Sequence, residues 1–156
     1  GHTVYAVRKD MDAMHRTSGH PIKEMYFGFN ADNLFIRLDF DKAVFSQYVK
    51  NGKCVITFVQ PTEMQIITSN ISDKPLRFKI KNGNQGLSGK DFDSIALDKI
   101  MELSCAFADL GLLPNVDIEF FVELVGDEEI IQRVPLRTVF CFSVPSKDFE
   151  GIMWQV

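Results

Sequence analysis

The sequence predicts an all-β domain, an immunoglobulin-like antiparallel sandwich of about eight to ten strands with one or two short helical turns. Three observations predict it. Apolar residues recur with period two in four separate segments, which places one face of each segment in a core and the other toward water. Clusters of Asn, Asp, Gly and Pro punctuate the chain between these segments. Helical periodicity is weak throughout, and the aromatic content is dominated by fourteen Phe, a residue suited to pleated, half-buried surfaces.

The first strand pair is the strongest local signal. Met25, Phe27 and Phe29 alternate with Glu24, Tyr26 and Gly28, and Leu34, Ile36, Leu38 and Phe40 alternate with Phe35, Arg37 and Asp39. Asn30-Ala31-Asp32-Asn33 joins the two runs as a polar hairpin loop. Asp41 to Lys50 has room for a turn or two of helix. Strands follow over Cys54 to Val59, Met64 to Thr68 and Leu76 to Ile80, and Asn82 to Gly86 is a turn. Ile95 to Leu103 reads as two short strands around Asp98-Lys99, and Ala106 to Leu110 as a second short helical turn. Ile118, Phe120, Val122 and Leu124 alternate with Glu119, Phe121 and Glu123. Thr138, Phe140, Phe142 and Val144 alternate with Val139, Cys141 and Ser143. The predicted core therefore contains Phe27, Phe29, Ile36, Leu38, Phe120, Val122, Phe140 and Phe142.

A length of 156 residues suits one domain spanning 1–156, with no internal repeat or linker. The opening Gly1-His2, without Met, reads as a cloning remnant ahead of a domain cut from a longer protein. A net charge of −4, with Lys and Arg scattered, leaves no footprint for nucleic acid. No apolar run reaches the ~20 residues of a membrane helix, and no signal segment opens the chain. Cys54, Cys105 and Cys141 show no paired spacing and sit among apolar residues, so three buried, reduced thiols are expected.

Recognised catalytic motifs are missing: there is no phosphate loop, zinc motif or nucleophile elbow. A carboxylate pair of the glycosidase kind leaves no mark in a single sequence. His2, His15 and His20 lack the partners of a transition-metal site, and Met14-His15 alone does not make a haem site. Calcium is the one metal with plausible ligands, at Asp10, Asp12, Asp39 and Asp41, against the simpler reading of solvated loop acids. Otherwise no cofactor is expected. For sugars, the chemistry asks for aromatic rings with a polar tip. Trp154, Tyr26 and Tyr48 are the carbohydrate-binding candidates, with Tyr5 as a further ring. Trp154 alternates with Ile152 and Val156, so a core position in the last strand is its competing reading.

Several stretches carry a resemblance. They are Asp12-Ala13-Met14-His15-Arg16, Ile22 to Asn30, Asn33 to Asp39, Glu102 to Leu112, Asp117 to Leu124, Arg133-Val134-Pro135 through Pro145, and Asp148 to Val156. In this order they resemble the C-terminal β-sandwich that follows the catalytic domain in many glycoside hydrolase family 57 proteins. That sandwich is similar to the DOMON-like, family 9 carbohydrate-module type also found at the end of glucodextranases. Ala106 departs from the pattern, which often has Pro there. The resemblance implies a non-catalytic accessory domain of a bacterial, cytoplasmic enzyme acting on α-glucans. The parent's catalytic carboxylates belong to another domain, so no catalytic residue is carried onto this chain. The implied partners are that catalytic domain, which the sandwich would stabilise, and an α-glucan. A purely structural or oligomerisation domain, and a DOMON-type binder of haem or a small ligand, are the alternatives.

Overall fold

The computed structural model describes residues 3–4, 19–87 and 89–155. In chain order the elements are β1 (Thr3–Val4), β2 (Ile22–Phe29), β3 (Asn33–Phe40), α1 (Lys42–Tyr48), β4 (Lys53–Gln60), β5 (Met64–Thr68), β6 (Phe78–Asn82) and a 3-10 turn (Gly83–Gln85). They continue with β7 (Ile95–Leu97), β8 (Ile100–Ala106), β9 (Asp117–Gly126), β10 (Glu129–Val134), β11 (Phe140–Ser143) and β12 (Ile152–Gln155).

Two six-stranded sheets pack face to face. One runs β1-β12-β2-β3-β8-β7; the other runs β10-β9-β4-β5-β6, with β11 also on β9. Among the described strands every pairing is antiparallel except the short parallel contact of β1 with β12. Among the described residues there are twelve strands rather than eight to ten, because β1 and β10 add to the segments read as strands, including the expected pair around Asp98-Lys99. Among the described residues α-helix is limited to α1, whose N-terminus Asp41 caps by accepting a hydrogen bond from the Val44 N–H at 3.2 Å. Ala106 to Leu110 forms turns closed by Asp109 N–H to Ala106 carbonyl at 3.1 Å, not a helix.

The period-two residues meet between the sheets. All eight predicted core side chains are buried. Phe120 stands at the centre, its ring 5.2 Å from Phe27, 5.3 Å from Phe140 and 5.8 Å from Phe58. The edge-to-face contact with Phe27 joins the two sheets, an arrangement that adds to the area such rings bury.

One polar side chain also crosses the sandwich. Gln132 of β10 is buried, accepts a 2.8 Å hydrogen bond from the Ile22 N–H, and donates one of 3.0 Å to the Ile22 carbonyl. It thereby satisfies both backbone groups at the start of β2, which shares no ladder with β10. A register shift between Ile130 and Gln132 turns this amide inward.

The cysteines depart from expectation at one position. Cys54 and Cys105 are buried, but Cys141 is exposed, because Phe140 and Phe142 take the inward places on β11. All three are free. Burial pushes the Cys54 thiol from 9.0 up to about 12. Burial, and then the Asp109 carboxylate, pushes Cys105 up to about 12. One thiol, Cys141, is expected to react rapidly with a disulfide reagent in the native protein, and three after denaturation; fast reaction of all three in the native state would contradict this burial. Above pH 9 the unfolded chain ionises thiols that the folded chain still holds protonated. Stability therefore falls as pH rises from about 9 toward about 12.

Among the described residues no helix is long and apolar enough to cross a membrane.

Candidate functional site

The outer face of the β12-β2-β3-β8-β7 sheet carries the most specific arrangement of side chains. The same alternation that sends Leu34, Ile36 and Leu38 inward sends Phe35 and Arg37 outward, and on β8 it sends Glu102 and Ser104 outward. Register then aligns them across strands. Trp154 pairs with Gly28, Gly28 with Phe35, and Phe35 with Ser104. In the next row Tyr26 pairs with Arg37, Arg37 with Glu102, and Glu102 with Ala96.

Gly28 is essential to the first row. A Cβ there would stand 2.8 Å from the Trp154 ring and 2.6 Å from the Met153 carbonyl oxygen. The missing side chain lets the indole lie down on the sheet and approach Phe35, ring centroids 6.0 Å apart. The Arg37 guanidinium carbon sits 5.7 Å from the indole centroid, and Arg37 Nε lies 3.2 Å from Glu102 Oε1. Trp154, Arg37 and Glu102 thus form a continuous chain of contacts spanning the four adjacent strands β12, β2, β3 and β8.

These residues line an open groove of about 510 Å³, within the range of small-ligand sites. Phe35 and Trp154 supply its apolar part; Arg37, Glu102, Asp93 and the Ser94–Ser104 pair supply the polar edge. The Ser94 hydroxyl donates to the Ser104 carbonyl, and the Ser104 N–H donates to the Ser94 carbonyl at 2.9 Å, which fixes that edge. Flat apolar surface beside fixed donors and acceptors is chemistry that suits a polyhydroxylated ring.

The three aromatic candidates are distributed unevenly. Trp154 lines the groove but is only 9% exposed, on the side of β12 away from the inter-sheet core, so it offers the groove an edge and not a full face. Tyr26 flanks the groove without lining it; its hydroxyl donates to Glu24 Oε2 at 2.7 Å. Tyr48 ends α1, well exposed and away from the groove lining. Phe35, Arg37 and Glu102 were not among the expected site residues. The signal that points to them is an outward Phe in line with an outward Gly on the paired strand.

Of the calcium candidates, Asp10 and Asp12 lie outside the described residues. Asp41 is occupied as the α1 cap, and Asp39 stands on the outer face of β3 opposite Glu24. Among the described residues no group of three or more His, Cys, Asp or Glu side chains is placed to hold a metal ion. Comparison of the chain with protein-family models, with curated proteins and with solved structures finds no match in any of the three.

Proposed function

We propose that this domain is a non-catalytic accessory module of an α-glucan-acting enzyme of the glycoside hydrolase family 57 type, and that it binds glucan in the Trp154–Phe35 groove. One observation carries the reading: the Phe35 ring, the edge of the Trp154 ring and the Arg37–Glu102 ion pair share one groove of saccharide size. The sequence stretches that resemble the family's C-terminal sandwich supply the substrate class. A shallow site of this kind, with little ring area exposed, gives weak binding; dissociation constants near the millimolar range correspond to ~4 kcal/mol.

Trp154 is the one tryptophan of the chain, so its emission reports on the groove directly. Addition of maltoheptaose is expected to shift Trp154 fluorescence saturably, and Phe35→Ala is expected to weaken the apparent affinity about fivefold, the scale of ~1 kcal/mol for one aromatic contact. Emission unchanged up to tens of millimolar ligand would remove the saccharide reading. The domain would then serve to dock on and stabilise its catalytic neighbour.

A further inference from the structure

We infer that Glu102, backed by Arg37, is the specificity-determining group of the groove and selects neutral pyranosides bearing vicinal hydroxyls over uronic acid saccharides. The inference rests on the saccharide reading above and adds which saccharides the groove takes.

Position is the first argument. Arg37 and Glu102 are directly opposite on β3 and β8, so their side chains share the outer face at the closest cross-strand spacing. Exposure is the second. The Arg37 side chain is 23% exposed and that of Glu102 is 62% exposed. The cation is held down between the indole and the carboxylate, while the carboxylate reaches outward. One Glu102 oxygen takes the Arg37 Nε contact, and a carboxylate has acceptor sites on both oxygens. A vicinal diol presents two adjacent O–H donors, which match the remaining acceptor sites as charge-assisted hydrogen bonds.

Charge is the third argument. Among the described groove-lining residues Arg37 is the one cation, against the carboxylates of Asp93 and Glu102, a balance of −1. The Arg37 charge is already directed at Glu102. A uronate carboxylate entering the groove meets two like charges, whereas a neutral hexose meets acceptors for its hydroxyls.

The test uses the whole chain, with Trp154 fluorescence and isothermal calorimetry as independent readouts. The ligands are maltoheptaose and a heptamer of galacturonic acid. The wild type is expected to bind maltoheptaose and to bind the oligogalacturonate at least tenfold more weakly at low salt. Glu102→Gln keeps the side-chain shape and removes the charge. It is expected to weaken maltoheptaose binding about five- to tenfold, the difference between a charge-assisted and a neutral hydrogen bond, and to narrow the gap between the two ligands. Because Glu102 is well exposed, the melting temperature of this variant is expected to match the wild type. If the wild type binds maltoheptaose and Glu102→Gln binds it equally well, the role given to Glu102 is wrong while the glucan reading stands. Equal or tighter wild-type binding of the oligogalacturonate overturns the inference in the same way. If the wild type binds neither ligand, both the glucan reading and this inference fall.

Discussion

Phe120→Ala is expected to destabilise the domain by about 3–5 kcal/mol, the usual range for removing a fully buried aromatic ring. The cause is the ring's position. Phe120 has no exposed surface and contacts Phe27 from the opposite sheet and Phe58, Phe140 and Phe142 from its own. Alanine would leave a void bordered by rings fixed by their own strands, so the site can collapse only in part. In a domain of this length the corresponding fall in melting temperature is about 10 °C or more. Urea unfolding followed by far-ultraviolet circular dichroism measures it. A loss below about 1 kcal/mol would mean that the two sheets do not meet at Phe120.

Gln132→Leu is expected to cost about 2–4 kcal/mol, although it makes a buried residue more apolar. Leucine has similar volume and removes no packing. It does leave the Ile22 N–H and carbonyl without the amide that satisfies them at 2.8 and 3.0 Å. Each buried backbone group without a partner costs about 1–3 kcal/mol. The loss is expected to fall on the β2–β10 contact, so amide exchange at the start of β2 should accelerate more than at the centre of β9. Stability equal to the wild type, with unchanged exchange at Ile22, would show that the clamp is not needed.

These two residues mark what the sequence makes legible and what it does not. Phe120 was readable as core because β9 has strict alternation over Ile118 to Leu124, and only one register buries that set. The hairpin of β2 and β3 was readable for the same reason, and its loop has the Asx geometry that Asn30 suggests, with Asn30 Oδ1 accepting from the Asp32 and Asn33 N–H groups at 2.9 and 2.7 Å. β10 was not. Its bulge inverts the alternation, so Ile130 is exposed and Gln132 buried. Its entry turn uses Asp127 and Glu128, both at positive φ, where Asn-Gly would have signalled the hairpin.

The groove was legible only in part. Alternation alone placed Trp154 on one face of the last strand but did not reveal which strand lies beside it. Gly28 decides the matter, because only a residue without a side chain lets the indole rest on the sheet at that point. Phe35, Arg37 and Glu102 read in sequence as ordinary outward positions. Phe35 is marked by hairpin register opposite Gly28, whereas Arg37 and Glu102 are joined by register between β3 and β8, far apart in the chain, which no local pattern encodes. Cys141 illustrates the same limit from the other side. Apolar neighbours on both sides suggested burial, and the strand's period of two placed the thiol outward.

The most direct measurement for the central claim is a two-dimensional amide NMR titration of the isotopically labelled chain with maltoheptaose. Saturable shifts are expected at Phe35, Arg37, Glu102, Ser104 and the Trp154 indole N–H, with little change on β5 and β6 of the other sheet. Shifts confined to the other sheet, or no shift at tens of millimolar ligand, would contradict glucan binding in this groove.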